Sequence, residues 1–320
     1  MLEKEPSSVM YELKHKKNFA QISLCYMTLI PIFTGKQLCV RFFFALFLLT
    51  LGNFVHAQSI ALPASARYLG VFAYSDKQAD IFSTRVNPAA LAALPQSSAG
   101  AYAERRFMLQ ELNLFNGAVG LNTGSGNFGV HASYFGFAQQ NQSQLSLSYG
   151  RRITKSVDIG ASFHYLQLSQ SGIYGNANAL TGSVGMLFHL ANRVHIGVNA
   201  YNPIRAAWSK DEQERIPSRY SMGAGIDVSD KLFTGVEIIK EENQPVDVQA
   251  AIHYAFLPQF FVRGGVATQT SNYFAAVGFQ LPAFRIDISG SYHQQLGWSP
   301  GILLLAKFGK NKSAESAINP

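Results

Sequence analysis

The residues best suited to do chemistry are six histidines that follow position 57, together with the charged residues spaced among them. Histidine changes its charge near neutral pH and is a common metal ligand, so this set could form a proton- or metal-responsive site. Each histidine lies on the polar side of a segment in which polar and apolar residues alternate. The main polar set is His131, His164, His195, Arg219, Asp227, Glu237, Asp247, His253, Arg263, Arg285, Asp287 and His293, and His189 is a further histidine on the same face.

A plainer interpretation explains the same set. If one face of these segments meets an apolar environment, the polar side chains must lie on the other face, where opposite charges pair. No His-x-His or Glu-x-x-His spacing favours a metal site over this interpretation. We therefore favour simple polar burial, and we expect neither a metal nor another cofactor.

The sequence contains no pattern typical of a catalytic site. Serines are numerous, but none lies in a nucleophile elbow. Gly223-Ala224-Gly225 lies inside an alternating segment and opens no helix, so it is no dinucleotide fingerprint. His293 and Asp287 share a face, but they are one pair among many. The net charge of +7 includes no Lys/Arg cluster with interleaved aromatics, so we expect no enzyme and no nucleic-acid partner.

The composition indicates elements with one apolar face. Hydrophobic residues make up 48% of the 320 residues and charged residues only 14%, against about 25% charged in an average soluble domain. Beyond residue 57 no run approaches the ~18 apolar residues that a membrane helix needs. Instead the chain alternates, as in Arg219 to Val228, where Tyr220, Met222, Ala224 and Ile226 oppose Ser221, Gly223, Gly225 and Asp227. Period-2 alternation predicts half-buried strands.

Turn residues divide the region 98–308 into about fourteen strands of the length that a tilted membrane strand requires. Tight turns near 154–155, 191–192, 229–230, 257–258 and 282–283 alternate with longer connections near 139–142, 169–175, 203–217, 241–244, 270–272 and 294–297. Aromatic residues near strand ends, including Tyr201, could form interfacial girdles. A soluble β-sandwich also alternates, but its outer faces carry more charge. The predicted fold is therefore all-β: a single transmembrane antiparallel β-barrel of about 14 strands.

The first 57 residues resemble a leader. Lys36 and Arg41 precede the apolar run 42–51, and Val55-His56-Ala57 offers small residues for cleavage, as in a secretory signal peptide. A membrane anchor is the alternative, but the run is short for spanning. We expect a cleaved leader over 1–57, with the true start downstream at a position such as Met27, and a polar periplasmic tail over 309–320.

Residues 58–97 lack the polar–apolar alternation typical of strands. We expect them to form a plug in the barrel. Asn87 can cap a helix and Pro88 fits its first position, with Ala89 and further helix formers after it. A short helix next to a barrel could lie in the mouth of that barrel.

A plug with Asn87-Pro88-Ala89, followed by about fourteen strands, resembles the FadL-type outer-membrane proteins, which include the PorV/PorQ-like barrels of the type IX secretion pathway. The resemblance covers residues 58–308 in organisation and implies an outer-membrane location in contact with lipid. It implies one of two functions. The barrel either acts with secretion-system or surface proteins in outer-membrane export, or lets a small hydrophobic ligand pass. The longest predicted loop, 203–217, is strongly charged and the others are short, which favours the PorV/PorQ-like function over the FadL-like alternative.

Overall fold

The computed structural model describes residues 70–309, except 172–174, 192, 209–210 and 269–271. The predicted leader, residues 58–69 and almost all of the predicted tail lie outside the described residues. Among those described, no helix is both long and apolar enough to span a membrane.

Fourteen antiparallel strands form a closed barrel, so the predicted fold and strand number are confirmed. Two further short strands, β8 and β9, pair only with each other. The barrel strands are β1 Ser97–Arg105, β2 Asn113–Thr123, β3 Gly126–Phe137, β4 Gln140–Thr154, β5 Val157–Gln170, β6 Gly175–Ala191, β7 Val194–Tyr201, β10 Arg219–Asp227, β11 Leu232–Glu241, β12 Asp247–Ala255, β13 Phe260–Ala267, β14 Asn272–Gln280, β15 Phe284–His293 and β16 Gly297–Phe308, and the separate hairpin is β8 Ala207–Trp208 with β9 Asp211–Arg215.

Each strand pairs with its neighbour along the chain, except that β7 pairs with β10 across the β8–β9 hairpin. The sheet closes where β1 pairs with β16, from Ser97 opposite Phe308 to Glu104 opposite Gly301. The chain therefore enters and leaves the barrel at one end, which we call the terminal end. The opposite end, with the β1–β2 and β7–β10 connections, is the loop end.

The two faces of the wall differ in polarity because successive side chains of a strand point to opposite faces. Ile288 is 66% exposed on the outer face, whereas the neighbouring Asp287 is fully buried inside. The same alternation leaves a belt of large apolar side chains on the outside, among them Leu147, Phe163, Val184, Met222, Ile238, Ile252, Val277 and Leu304. A closed sheet with an apolar outer belt satisfies its backbone internally and is suited to lipid.

Two details differ from the sequence-based expectations. The connection expected over 139–142 is a two-residue turn, because β3 and β4 pair as far as Phe137 opposite Gln140. Tyr201, expected in an outer aromatic girdle, is 5% exposed and lies on the inner face with His195 and Asn199. It packs there beneath Ile216 of the connection that contains β8 and β9, which folds back over the loop end.

Three short 3-10 helices precede the barrel and lie against its inner face: Val71–Tyr74, Ile81–Arg85 and Pro88–Ala93. We call residues 70–96 the N-terminal segment. Phe72, Ile81, Phe82 and Leu91 of this segment join barrel residues such as Phe233 and Leu303 in one buried apolar cluster. Two smaller 3-10 helices, Arg106–Met108 and Gln110–Leu112, lie in the β1–β2 connection.

Candidate functional site

The N-terminal segment docks on glycines of the barrel wall. Gly150, Gly160 and Gly185 lie opposite one another on β4, β5 and β6. A Cβ atom at Gly160 would lie 2.3 Å from the carbonyl carbon of Pro88, and one at Gly185 would lie 2.0 Å from the Asn87 side-chain oxygen. The absence of side chains on these strands therefore makes room for the third 3-10 helix.

Asn87 both caps that helix and binds the wall. Its side-chain oxygen accepts a hydrogen bond from the Ala89 N–H at 3.0 Å, and Pro88 occupies the first turn. Its side-chain nitrogen donates to the carbonyl of Val198 at 3.2 Å. The Asn87-Pro88-Ala89 motif thus starts a short helix, as its residue types predict, and holds this helix to β7.

A buried ion network fixes the second 3-10 helix. Arg285 donates to the Asp80 carboxylate at 2.6 Å, and its Nε lies 3.1 Å from the Asp287 carboxylate. Asp80 also accepts from the backbone N–H groups of Phe82 and Ser83 in a capping box. Burial acts to raise the pKa of the Asp80 carboxyl, but the guanidinium groups of Arg285 and Arg263 outweigh it and hold the pKa below its usual value.

Further polar contacts join the segment to the inner face. The Tyr74 hydroxyl donates to Glu237 at 2.7 Å. Thr84 contacts His131, and Arg85 donates to the side chain of Asn116 at 2.7 Å. Tyr74, Asp80 and Arg85 were not singled out from the sequence, since the strand pattern carries no information about a segment outside the strands.

The other residues of the predicted polar set also lie on the inner face, and all except the half-buried His293 are buried. His164 lies between Ser146 and Ser183, and His253 accepts a hydrogen bond from Arg263 at 3.2 Å. His195 contacts Asp227, and Asp247 contacts Gln249. The guanidinium of Arg219 lies over the ring of Tyr201. His293 accepts hydrogen bonds from the backbone N–H groups of residues 295 and 296. The set is therefore divided into several groups, the largest of which joins His253, Arg263, Arg285 and Asp287, and it does not converge on one centre.

The outer wall has a depression of about 600 Å³ across β2 to β5, in the half of the barrel nearer the loop end. Its floor includes Gly117 and Ala132, which lie opposite each other, and a Cβ atom at Gly117 would have no neighbour within 4 Å. Larger apolar side chains, including Phe115, Tyr134, Leu145 and Tyr165, complete its lining. Small residues between large ones thus create a recess that faces lipid.

Gln144 separates this depression from the interior. It lines the depression, and it also lines a small inner space of about 10 Å³ together with Arg85, His131 and His164. The Gln144 side chain lies 3.1 Å from the Ser146 hydroxyl and 3.2 Å from a ring nitrogen of His164. Asn116, the partner of Arg85, borders the depression as well. The paired strands β2, β3 and β4, a single sheet, therefore lie between the recess and the contacts of the N-terminal segment.

Comparison with known proteins gives a likeness of fold. No protein-family model matches the chain, and no curated protein matches it. The solved structures that resemble it include the CymD monoaromatic hydrocarbon channel (10% identity, 76% of this chain and 99% of that chain covered, TM-score 0.56). They also include the toluene transporter TbuX of Ralstonia pickettii (13% identity, 72% of this chain and 94% of that chain covered, TM-score 0.52). A third is the toluene transporter TodX of Pseudomonas putida (11% identity, 75% of this chain and 95% of that chain covered, TM-score 0.51).

The fold is thus that of outer-membrane β-barrels, as expected from the sequence. The likenesses give no support to the finer PorV/PorQ-like assignment. The titles of the similar structures describe channels and transporters, and the expectation that this chain is no enzyme stays a prediction.

Proposed function

We propose that this barrel lets small hydrophobic molecules cross the outer membrane, with the loop end outside and the terminal end in the periplasm. The observation that carries the proposal is the apolar depression over Gly117 and Ala132, because recessed apolar surface next to a few polar groups is the usual form of a small-molecule site. The names of the similar structures make a monoaromatic hydrocarbon such as toluene the first molecule to test.

The wall beneath the depression gives a hydrophobic molecule a point of contact with the interior. Asn116 and Gln144 line the recess on one side and reach Arg85 and His164 on the other. A molecule held there lies against strands whose inner side chains contact the N-terminal segment, and it would enter the lumen where the β2–β3 or β3–β4 pairing opens locally. The axial route is occupied by Tyr74, Phe72 and Leu91, which are fully buried.

The test is uptake of radiolabelled toluene by Gram-negative cells that lack their own hydrocarbon channel and express this chain. We expect initial uptake several-fold above that of empty-vector cells, and uptake near background for Ala132→Phe, which fills the depression. Ala161→Phe is the matched control, because Ala161 also faces outward but lies outside the recess. Uptake equal to that of empty-vector cells would contradict the proposal.

Partnership in protein export is the rival function, and the β8–β9 hairpin at the loop end is the feature in its favour. Surface segments of this kind often bind other proteins. Mild-detergent purification from native membranes separates the two functions. Recovery of a translocon or of surface proteins with the barrel would favour export, whereas a barrel recovered alone with bound hydrophobic molecules would favour passage.

A further inference from the structure

Two histidines face each other at the terminal end of the barrel, on a hairpin that the transport proposal does not use. His189 of β6 and His195 of β7 lie directly opposite in the strand register. Their Nδ1 atoms are 2.7 Å apart, and their rings are steeply inclined, at 77°. Neither ring is open to solvent, since the two side chains are only 8% and 4% exposed.

The second nitrogen of each ring is held by a carboxylate. His189 Nε2 lies 2.9 Å from Asp158, and His195 Nε2 lies 3.2 Å from Asp227. His189 Nε2 also lies 3.3 Å from Arg152 Nη2, but its contact with the carboxylate is the shorter one. Because an ionised carboxylate can only accept a hydrogen bond, the tautomer that satisfies both carboxylate contacts has a proton on each Nε2. Each Nδ1 of a neutral ring then presents a lone pair, and the two lone pairs point at each other. A cation between the two nitrogens, either a metal ion or a proton, would remove their repulsion.

A third ligand atom comes from the N-terminal segment. Asp76 Oδ2 lies 3.7 Å from His189 Nδ1, and the ligand atoms of Asp76, His189 and His195 all lie within 4.8 Å of one another. In metal sites, a ligating histidine usually donates a hydrogen bond from its other ring nitrogen to a carboxylate, which fixes the orientation and the tautomer of the ring. Here both histidines have this outer support from a carboxylate.

The charges and the access route also suit a dication. Three carboxylates, those of Asp76, Asp158 and Asp227, surround the pair. Arg152 contacts Asp76 and Asp158, Asp227 accepts a hydrogen bond from Ser75, and Lys77 nearby is paired with Asp230. Asp76 and Arg152 also line a polar cavity of about 500 Å³ at the terminal end, and Asp76 is partly exposed. An ion can therefore reach the pair from solution.

The geometry points to a divalent metal site formed by His189 Nδ1, His195 Nδ1 and Asp76 Oδ2, with Zn²⁺ as the best-suited ion and water as a further ligand. Two nitrogens and one carboxylate oxygen are typical zinc donors, whereas Mg²⁺ and Ca²⁺ prefer oxygen alone. Zn–N bonds of about 2.0–2.1 Å in tetrahedral geometry place the two nitrogens about 3.3 Å apart. The two Nδ1 atoms, now 2.7 Å apart, would therefore need to separate by about 0.6 Å. The ion would clamp the N-terminal segment to the β6–β7 hairpin, whatever molecule the barrel passes.

The test uses the full chain purified from outer membranes with a tag other than polyhistidine, titrated with Zn²⁺ against a competing chelator. We expect a single tightly held ion, with zinc-edge X-ray absorption that reports two imidazole ligands. His189→Gln and His195→Gln should lose it, and Asp158→Asn should bind about 10–100-fold more weakly through loss of the outer support. His293→Gln, at the loop end, should bind like the unaltered chain.

A second readout follows from the clamp. Zinc should slow tryptic cleavage after Lys77 in the unaltered chain and have no such effect in His189→Gln. Failure of the folded, unaltered chain to hold zinc would overturn the proposal and leave a shared proton between the rings. Equal binding by the glutamine variants, or an absorption spectrum without two imidazoles, would overturn it as well.

Discussion

Arg285 is the residue through which the charged interior holds the N-terminal segment. It binds Asp80 of that segment and Asp287 of its own strand, and all three side chains are almost fully buried. The guanidinium presents several N–H donors in a fixed fork, which lets one arginine serve two carboxylates. Arg263, 3.8 Å from Asp287, adds a second positive charge to the network.

Replacement of Arg285 should be strongly destabilising. Arg285→Met leaves two buried carboxylates to share Arg263, and the loss of one partner from a buried ion pair costs about 3–5 kcal/mol. We expect unfolding in lipid vesicles at a clearly lower urea concentration. Lys77→Met is the control, because the Lys77–Asp230 pair is exposed and solvent screens it, so its midpoint should change little. Equal urea-unfolding midpoints for the two variants would contradict the stabilising role of Arg285.

The inner position of the polar residues could be predicted from the sequence, but most of their partners could not. Alternation alone assigns Arg285, Glu237 and His131 to one face. Their partners Asp80, Tyr74 and Thr84 lie in a segment without periodicity, whose place depends on packing inside the closed barrel. The pairing of His189 with His195 could not be predicted either, because a register shift between His189 and Ala191 sets the two histidines opposite each other.

At the scale of elements, the close fit between helix and wall depends on glycine. Tyr74 packs over Gly197 and Gly223 in the same way that Pro88 packs over Gly160: a Cβ atom at Gly223 would lie 2.3 Å from the Tyr74 ring. These glycines occupy inner-face positions in β5, β7 and β10, where most other strand positions carry polar side chains. A missing side chain inside a strand often marks the close approach of another backbone, as it does here.

Gly160→Val should therefore displace the N-terminal segment without opening the barrel. The new side chain meets the Pro88 backbone, which cannot move aside while Asn87 remains bound. We expect faster trypsin cleavage after Lys77 and Arg85, measured by mass spectrometry, in a barrel that keeps its compact mobility on unheated gels. Gly117→Val faces open space and should be cleaved at the unaltered rate. Protection of the segment in Gly160→Val would show that it docks elsewhere.

Element lengths were harder to predict than element number. β4, β5 and β6 run for 15, 14 and 17 residues, longer than a membrane requires. Their extensions at the loop end, such as Gln140 to Gln144, are polar on both faces, so hydrophobic alternation stops before the strand does. Backbone pairing continues there because each extended strand has a neighbour, and the expected loop over 139–142 becomes a tight turn.

For the molecule as a whole, the interior is filled at both ends by chain segments that are not part of the barrel. The N-terminal segment occupies the inner face with fully buried Tyr74, Phe72 and Leu91, and Ile216 covers Leu166 and Tyr201 toward the loop end. A barrel of fourteen strands is wider than the eight-stranded barrels whose side chains alone fill the interior. The added segments occupy part of the remaining space, packed against the inner face of the described wall.

Deletion of residues 58–97 should therefore open a water-filled path. The glycine-lined inner face that receives Pro88 and Tyr74 would become solvent-filled, and charged residues such as Glu237 and Arg285 would face the new channel. We expect single-channel conductance in planar bilayers to rise several-fold over that of the unaltered barrel. Deletion of residues 310–320 is the matched truncation and should leave conductance unchanged. Unchanged conductance in a 58–97 deletion that still folds would mean that the wall and the loop end close the lumen on their own, and the N-terminal segment would then be a structural support and not a plug.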